Sequence, residues 1–486
     1  MRILYLDLDT LRPDHLGCYG YHRNASPNLD WIAAQGARFE NCYASDVPCL
    51  PSRSALYSGR LGIHNGVVGH GGTAADPKLE GAERGFRNSP NRLPWVACLA
   101  RQGLHTVSVS PFAERHSAWH FHAGFREVYN PGQGGLELAD DVTPLVLDWI
   151  GREAKRDDWF LQVNYWDPHT PYRTPDEYGN PFAADPPPCW PDEATIQAHY
   201  ASYGPHSARE PRGFGWEEPS SLPRMPRQIA SREDFRRWID GYDVGIRYMD
   251  DHIGRILAAL DDQGVLDDLV IVATSDHGEN QGELNVYGDH QTADDITCRV
   301  PLLVRWPGLA QPRVDHALHY QVDFAATTVE LLGGRVPELW DGRSFAEAFR
   351  RQEESGRESL VVSQCAWSCQ RAVRWGPWIM VRTYDDGLKD FPEIMLFNLD
   401  EDPHETTNLA DERPDVVARC LGLLEHWHGE MMATAQDAID PLWTVMREGG
   451  PYHTRGKLEQ YCRHLEATDR AHHAETLEKG DGASFR

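Results

Sequence analysis

Apolar positions recur along this chain in a fixed order: a short continuous run, a polar break, then apolar residues three and four apart. The first run, "RILYLDLD", ends in acid. In "SPNLDWIAAQGARFENCYA", Ser26-Pro27 opens a helix, Gly36 stops it, and a strand follows. The same logic repeats in "LPWVACLARQGLHTVSVS", "VTPLVLDWIGREAKRDDWFLQVNYW" and "MDDHIGRILAALDDQGVLDDLVIVATSDHGE". Strands alternating with helices of about 10–15 residues predict an α/β fold with a large, mostly parallel sheet flanked by helices. Ligands in such sheets bind beyond the carboxyl ends of the strands. Here those ends read "DLDT", "VSVSP", "NYWDPH" and "ATSDHGE", so acids and histidines collect at one edge.

After "RVPLLVRWPG" the pattern changes. "LVVSQ", "QRAVRWGPWIMVRTY" and "IMLFNLDEDPHETTNLA" read as antiparallel strands with short turns, followed by the helix "RPDVVARCLGLLEHWHGEM". The expected organisation is a catalytic α/β domain over residues 1–355, a smaller α+β subdomain with an antiparallel sheet over 356–440, and a tail over 441–486. Within the first, residues 176–240 form a proline- and charge-rich surface insertion able to cap a site. The tail carries Trp443, Arg447, His453 and Arg455 ahead of an amphipathic helix. It is expected to complete the active site or to make a homo-oligomer contact, the alternative being a solvated terminal helix.

Composition narrows the function classes. The 486 residues are 41% hydrophobic and 25% charged, as in an ordinary globular protein. No apolar run approaches the ~20 residues needed to span a bilayer, and the N-terminal segment lacks a signal-peptide core. No membrane association and a cytoplasmic location are therefore expected. A formal net charge of −27 argues against nucleic-acid binding. It also requires that an anionic substrate be captured by a local cationic pocket or a metal. Ten cysteines are scattered without zinc-like pairing, and Cys365 and Cys369 in "CAWSC" read as structural.

The strand ends carry the chemistry. Asp7 and Asp9 are spaced i, i+2 and share one face of a strand. Asp276 and His277 lie at another strand end. Such a set suits a divalent cation, with oxygen donors favouring Ca2+, Mg2+ or Mn2+. The bland alternative is that each aspartate caps a following helix.

One stretch is more specific. "VPCLPSRSALYSGR" places Cys49, Pro51 and Arg53 in a C-x-P-x-R pattern, and it resembles the signature of the formylglycine-dependent type I sulfatases of the alkaline-phosphatase superfamily. The resemblance continues through "LDTLRPDHLGCYGY", "YWDPHTPY", "YDVGIRYMDDHIGRIL", "ATSDHGE", "RVPLLVRWPG" and "LFNLDEDPHETTNLA". It implies an alkaline-phosphatase-like fold and oxidation of Cys49 to formylglycine by a formylglycine-generating enzyme. The hydrated aldehyde offers two hydroxyls on one carbon: one attacks sulfur, and deprotonation of the other expels sulfate and restores the aldehyde. A thiol would leave an intermediate with no easy exit. Arg53 resembles the arginine that hydrogen-bonds this nucleophile.

The resemblance also implies metal ligands, with calcium the family's usual ion. Asp9, Asp276, His277 and the oxidised Cys49 match directly. The family's second consecutive aspartate is Thr10 here, so Asp7 is the candidate replacement. Two family lysines are missing. Near "SPFAERHSAWHF" the candidate cations are Arg115, His116 and His120, with His116 preferred; before "RVP" the slot holds His290. His169 of "DPHTPY" matches a sulfate-binding histidine. His290 is expected to act as an imidazolium that protonates the leaving alkoxide, with Asp289 or Asp294 holding its charge. The implied activity is hydrolysis of sulfate monoesters, with sugar sulfates expected because aromatics of the insertion can stack on sugar rings. The alternatives are a phosphonate monoester or phosphodiester hydrolase of the same superfamily, or an inactive sulfated-glycan binding protein.

Overall fold

The computed structural model describes residues 1–78, 93–216 and 222–480. Residues 217–221 of the expected insertion and 481–486 of the expected tail lie outside them. Fifteen strands run in chain order: β1 (Arg2–Leu8), β2 (Ala37–Tyr43), β3 (Asp46–Val47), β4 (His105–Val109), β5 (Glu127–Tyr129), β6 (Trp159–Tyr165), β7 (Val270–Thr274), β8 (Asn280–Gln281), β9 (Tyr287–Asp289), β10 (Arg299–Arg305), β11 (Arg313–Tyr320), β12 (Ser359–Gln364), β13 (Cys369–Trp375), β14 (Trp378–Asp385) and β15 (Ile394–Asn398).

Among the described residues the main sheet has eight strands in the order β11-β2-β10-β7-β1-β6-β4-β5. All are parallel except β10, which opposes both its neighbours. The expected mostly parallel sheet flanked by helices is what forms. β1 is buried on both faces, and its residues alternate between two cores. Leu4, Leu6 and Leu8 join the core packed by the helices Pro27–Ala34, Ala139–Glu153 and Arg232–Asp262. Ile3 and Tyr5 face the opposite core, built with Cys49–Ser58, Trp95–Arg101 and Gln321–Leu331.

Register decides where the chemistry emerges. Asp7 stands opposite Asn164 of β6 and Thr274 of β7. The three central strands therefore end level, and Asp9, the Trp166–His169 turn and Ser275–His277 leave the sheet side by side. Asp7 and Asp9 have the parity of Ile3 and Tyr5, so they face the helix Cys49–Ser58.

The second sheet has the order β15-β14-β13-β12-β3. Its strands β12 to β15 are antiparallel, and helix Pro414–Thr434 packs on them. Its edge is unexpected: β3, from the N-terminal region, pairs parallel with β12 through Asp46–Ser363 and Val47–Gln364. Because β3 leads directly into Pro48-Cys49, the small sheet anchors the segment carrying the C-x-P-x-R motif. The tail forms helices Pro441–Arg447, Leu458–Ala467 and Ala471–Gly480. Among the described residues no helix is long and apolar enough to cross a membrane, and none of the ten cysteines forms a disulfide there.

Candidate active site

Cys49 is the first residue of a ten-residue helix, Cys49–Ser58, and is 2% exposed. Pro51 lies in the first turn, where a missing amide hydrogen costs nothing. Gly59 ends the helix at φ 70°, and the Trp340 ring occupies the place a Cβ would take. The i, i+4 spacing puts Arg53 on the same helix face one turn below Cys49. The Ser52 hydroxyl donates to the Asp276 carbonyl at 2.6 Å, tying the motif to the end of β7.

Arg53 is the electrostatic hub. Its Nε and Nη2 each donate to Asp7 at 2.9 Å, while Nη1 donates to Asp9 at 3.0 Å and Asp276 at 2.6 Å. Its guanidinium carbon lies 4.3 Å from the Phe112 ring centroid. Asp7, expected as a metal ligand, is the carboxylate that Arg53 engages most fully. Both of its oxygens are engaged by Arg53, and Gln162 donates to one of them at 3.4 Å. A bidentate guanidinium wins the carboxylate that shares its face.

Three buried carboxylates face this one guanidinium. Burial, with Asp276 alongside, pushes Asp9 well above the ordinary carboxylate range. Asp9 Oδ1 and His277 Nε2 are buried without hydrogen-bond partners. His277 Nδ1 lies 2.8 Å from the Gly278 carbonyl, so it carries the ring hydrogen and Nε2 presents a lone pair. Ligand atoms of Cys49, Asp276 and His277 lie within 4.8 Å of one another. Excess negative charge, orphaned donors and a fixed imidazole lone pair fit a divalent cation. Thr10, at the position of the family's second aspartate, has φ 56° and a buried hydroxyl without a partner. A left-handed β-branched residue costs about 1–3 kcal/mol, a strain concentrated at functional sites.

Histidines make the rest of the wall. His116 Nε2 lies 3.5 Å from Cys49 Sγ. His120 instead meets the Ser54 hydroxyl at 3.2 Å, and Arg115 packs on Trp166 and donates to the Gly135 carbonyl. His169 and His290 are brought together, ring centroids 5.6 Å apart, and His290 lies 4.2 Å from His277.

His290, expected to act as an imidazolium, is buried. Burial, reinforced by His277, pulls it down to about 3, which Asp289 only partly offsets. Asp289 Oδ1 is 3.8 Å from His290 Nε2, and its other oxygen is 3.0 Å from His206. Asp294 is not part of this group; it caps Thr297 and accepts from Asn280. Unliganded His290 is therefore a neutral imidazole.

His70 was not singled out from sequence. Its Nε2 is 3.5 Å from Cys49 Sγ, opposite which its Nδ1 meets His453 Nε2 of the tail at 2.9 Å. The local signal was a histidine set among glycines in "VVGHGGT", too common to select alone. His453 lies against His70, whereas Arg455 is engaged by Glu448 and the Gly450 carbonyl, and Trp443 stacks edge-on against Tyr384. Burial, then Asp9 and Asp276, push the Cys49 thiol up. The reactive thiolate is thereby suppressed.

Comparison with known proteins gives the family of the chain. The family model described as Sulfatase matches residues 2–334, and that for the N-sulphoglucosamine sulphohydrolase C-terminal region matches 282–421. Mouse (Mus musculus) iduronate 2-sulfatase is 26% identical over 348 residues, covering 64% of this chain and 60% of that protein. The chain thus spans less than two thirds of that relative's length. Two solved structures share the fold. One, a protein in complex with its substrate D-glucosamine-2-N,6-O-disulfate, has a TM-score of 0.69 at 19% identity, covering 90% of this chain and 99% of that one. The other, the phosphonate monoester hydrolase of Agrobacterium radiobacter, has a TM-score of 0.65 at 20% identity, covering 89% and 95%. With the Sulfatase match spanning well over half its residues, this chain belongs to the sulfatase family.

Proposed function

We propose that this protein hydrolyses sulfate monoesters, with carbohydrate sulfates as the substrate class and a formylglycine made from Cys49 as nucleophile. The observation that carries the reading is the placement of Cys49 at a helix N-terminus, with Arg53 beneath it and Asp9, Asp276 and His277 beside it. Suppression of the thiolate supports a modified residue, since an unmodified thiol in this setting is a weak nucleophile. The names of the relatives and the disulfated glucosamine held by a structural neighbour support a sugar substrate.

The sulfur of Cys49 marks where the hydroxyls of the hydrated aldehyde stand. His70 and His116, each 3.5 Å from it, are placed to hydrogen-bond those hydroxyls and orient one toward sulfur. Arg53, clamped by three carboxylates, holds positive charge under the nucleophile without reorganising. The N-terminal end of the helix Cys49–Ser58 adds positive potential where the sulfonyl group gains charge. His169 and His290 line the neighbouring wall, where His290 addresses the leaving oxygen.

Asp9, Asp276, His277 and the oxidised residue 49 are the residues that would hold a metal. A divalent cation there supplies charge that polarises the sulfonyl oxygens. Calcium prefers oxygen-only shells, whereas an imidazole donor with two carboxylates also suits Mn2+.

The test uses protein made with and without a formylglycine-generating enzyme. Peptide mass spectrometry locates the aldehyde, and a panel of sulfated mono- and disaccharides, an aryl sulfate and a phosphonate monoester reads activity. Turnover of a sugar sulfate that tracks aldehyde content at residue 49 is expected. Turnover confined to the phosphonate ester would replace the sulfatase reading, and full activity with an intact thiol would remove the nucleophile assignment.

A further inference from the structure

His70 belongs to a glycine-rich loop whose two ends are joined by the Val68 and Gly69 amides donating to the Ala74 carbonyl at 2.9 and 3.1 Å. Gly69, Gly71 and Gly72 surround it, Gly72 at φ 73°, so the backbone has little intrinsic stiffness. The tip of the loop is covered by the C-terminal tail, more than 370 residues away in sequence. Glu448 accepts from the backbone amide of Thr73 at 3.2 Å and from its hydroxyl. The Tyr452 ring covers Gly71 closely enough to exclude a side chain there. His453 Nε2 meets His70 Nδ1 at 2.9 Å.

His453 is itself held. It stacks on Trp367 at 4.5 Å and 21°, and its amide donates to the Ala366 carbonyl at 3.0 Å. Trp367 and Ala366 belong to the β12–β13 turn of the small sheet. A rigid hairpin thus orients His453, which orients His70, which faces residue 49. In either sense, the hydrogen bond between the two imidazoles fixes one ring plane for His70 and the role of its Nδ1. This is the relation by which an outer hydrogen bond orients a functional histidine.

We infer that His453 is a positioning residue of its own chain's active site: it sets the ring plane of His70 and the role of its Nδ1, and the segment Glu448–His453 is the clasp that makes the glycine-flanked loop competent. The inference rests on the proposed hydrolase reading for its kinetic consequence, but its structural content is tested apart from that reading. In full-length protein, diethylpyrocarbonate labelling of His70, mapped by peptide mass spectrometry, reads the freedom of its ring nitrogens directly. His453→Ala should raise the labelling rate of His70 at least about threefold, with His120 and His404 labelling and Tm unchanged, while His453→Gln, which retains a hydrogen-bonding group, restores protection. On a sulfate ester, His453→Ala should lower kcat about 10- to 100-fold with KM changed less than threefold, and His70→Ala/His453→Ala should be no slower than His70→Ala alone. Unchanged His70 labelling in His453→Ala overturns the inference whatever the enzyme does. Losses that add in the double variant overturn it even when the hydrolase reading holds. A wild-type protein inert on every sulfate would sink the hydrolase reading, leaving the labelling result to decide the clasp.

Discussion

Arg53 lies one helical turn after Cys49 and is hydrogen-bonded to Asp7, Asp9 and Asp276, so one short helix delivers both the nucleophile position and the cation beneath it. Replacing Arg53 separates these contributions. Arg53→Lys keeps the charge but cannot fork across three carboxylates. It should fold with a lowered Tm and lose at least about 10²-fold in kcat, the scale for removing a fixed donor from a charge-stabilising site. Near-wild-type turnover in Arg53→Lys would show that the guanidinium geometry is not used.

Asp7 and Asp276 should part company when each is removed. Asp7→Ala takes a bidentate partner from buried Arg53, and breaking such a pair costs about 3–5 kcal/mol. Its signature is a fall in thermal stability with bound metal retained. Asp276→Ala removes a proposed ligand, so metal content should fall by an order of magnitude or more. Equal metal loss in both variants, measured by elemental analysis after dialysis, would return Asp7 to the metal shell.

The imidazole of His277 makes a prediction about ion preference. Its Nε2 lone pair faces Cys49 and Asp276, and nitrogen suits Mn2+ better than Ca2+. His277→Asn substitutes an amide oxygen. The ratio of Ca2+ to Mn2+ affinity, read by calorimetric titration of the metal-free protein, should rise by about tenfold. A ratio that stays constant would take His277 out of the shell.

Much of this arrangement was readable because periodicity reports which face is buried. The alternation in "RILYLDLD" put Asp7 and Asp9 on one face, and strand ends grouped Asp276, His277 and His169 at one edge. Periodicity does not report which distant segment covers that face. Hence the cover that Arg53 gives Asp7 has no signal in the pattern. The pairing of Asp46-Val47 with Ser363-Gln364 has no local signal, because two residues are too few to show a period. His70 and His453 carry no motif, and their relation exists only once the tail has folded back. The burial of His290 is beyond sequence for a different reason: a neighbour such as Asp289 is legible there, but desolvation is set by the whole fold.

A stability prediction follows from His199. This half-buried ring sits 2.8 Å from the Tyr287 hydroxyl, and burial pulls it down to about 4, with Lys389 contributing. In the unfolded chain a histidine titrates near 6.5. Between about pH 4 and 6.5 the unfolded state therefore binds more protons, and the contribution of this residue to stability is complete above 6.5 and lost as pH falls toward 4. Each pH unit is worth up to about 1.4 kcal/mol. His199→Gln removes that dependence, so its stability deficit relative to wild type should shrink as pH drops from 7 to 4.5. A deficit that is the same at both pH values, measured by denaturant unfolding, would contradict a neutral His199.

The role of His290 is decided by comparing leaving groups and replacements together. A sugar alkoxide is a poor leaving group and needs a hydrogen-bond or proton donor in the transition state, whereas a nitrophenolate hardly needs one. His290→Ala should therefore cost about 10²–10³-fold on a carbohydrate sulfate and much less on a nitrophenyl sulfate. Burial holds the unliganded ring neutral, and its Nδ1 is buried with no hydrogen-bond partner, so it is equipped to donate a hydrogen bond rather than to carry a stored proton. A side chain that only donates can be replaced by another donor. His290→Gln should then recover most of the activity on the sugar ester that His290→Ala loses. If glutamine and alanine are equally slow on the sugar ester, proton delivery is the function of His290 and its imidazolium must form when substrate binds. If both variants lose equally on sugar and aryl esters, the ring serves the loop or the sulfate instead of the leaving oxygen.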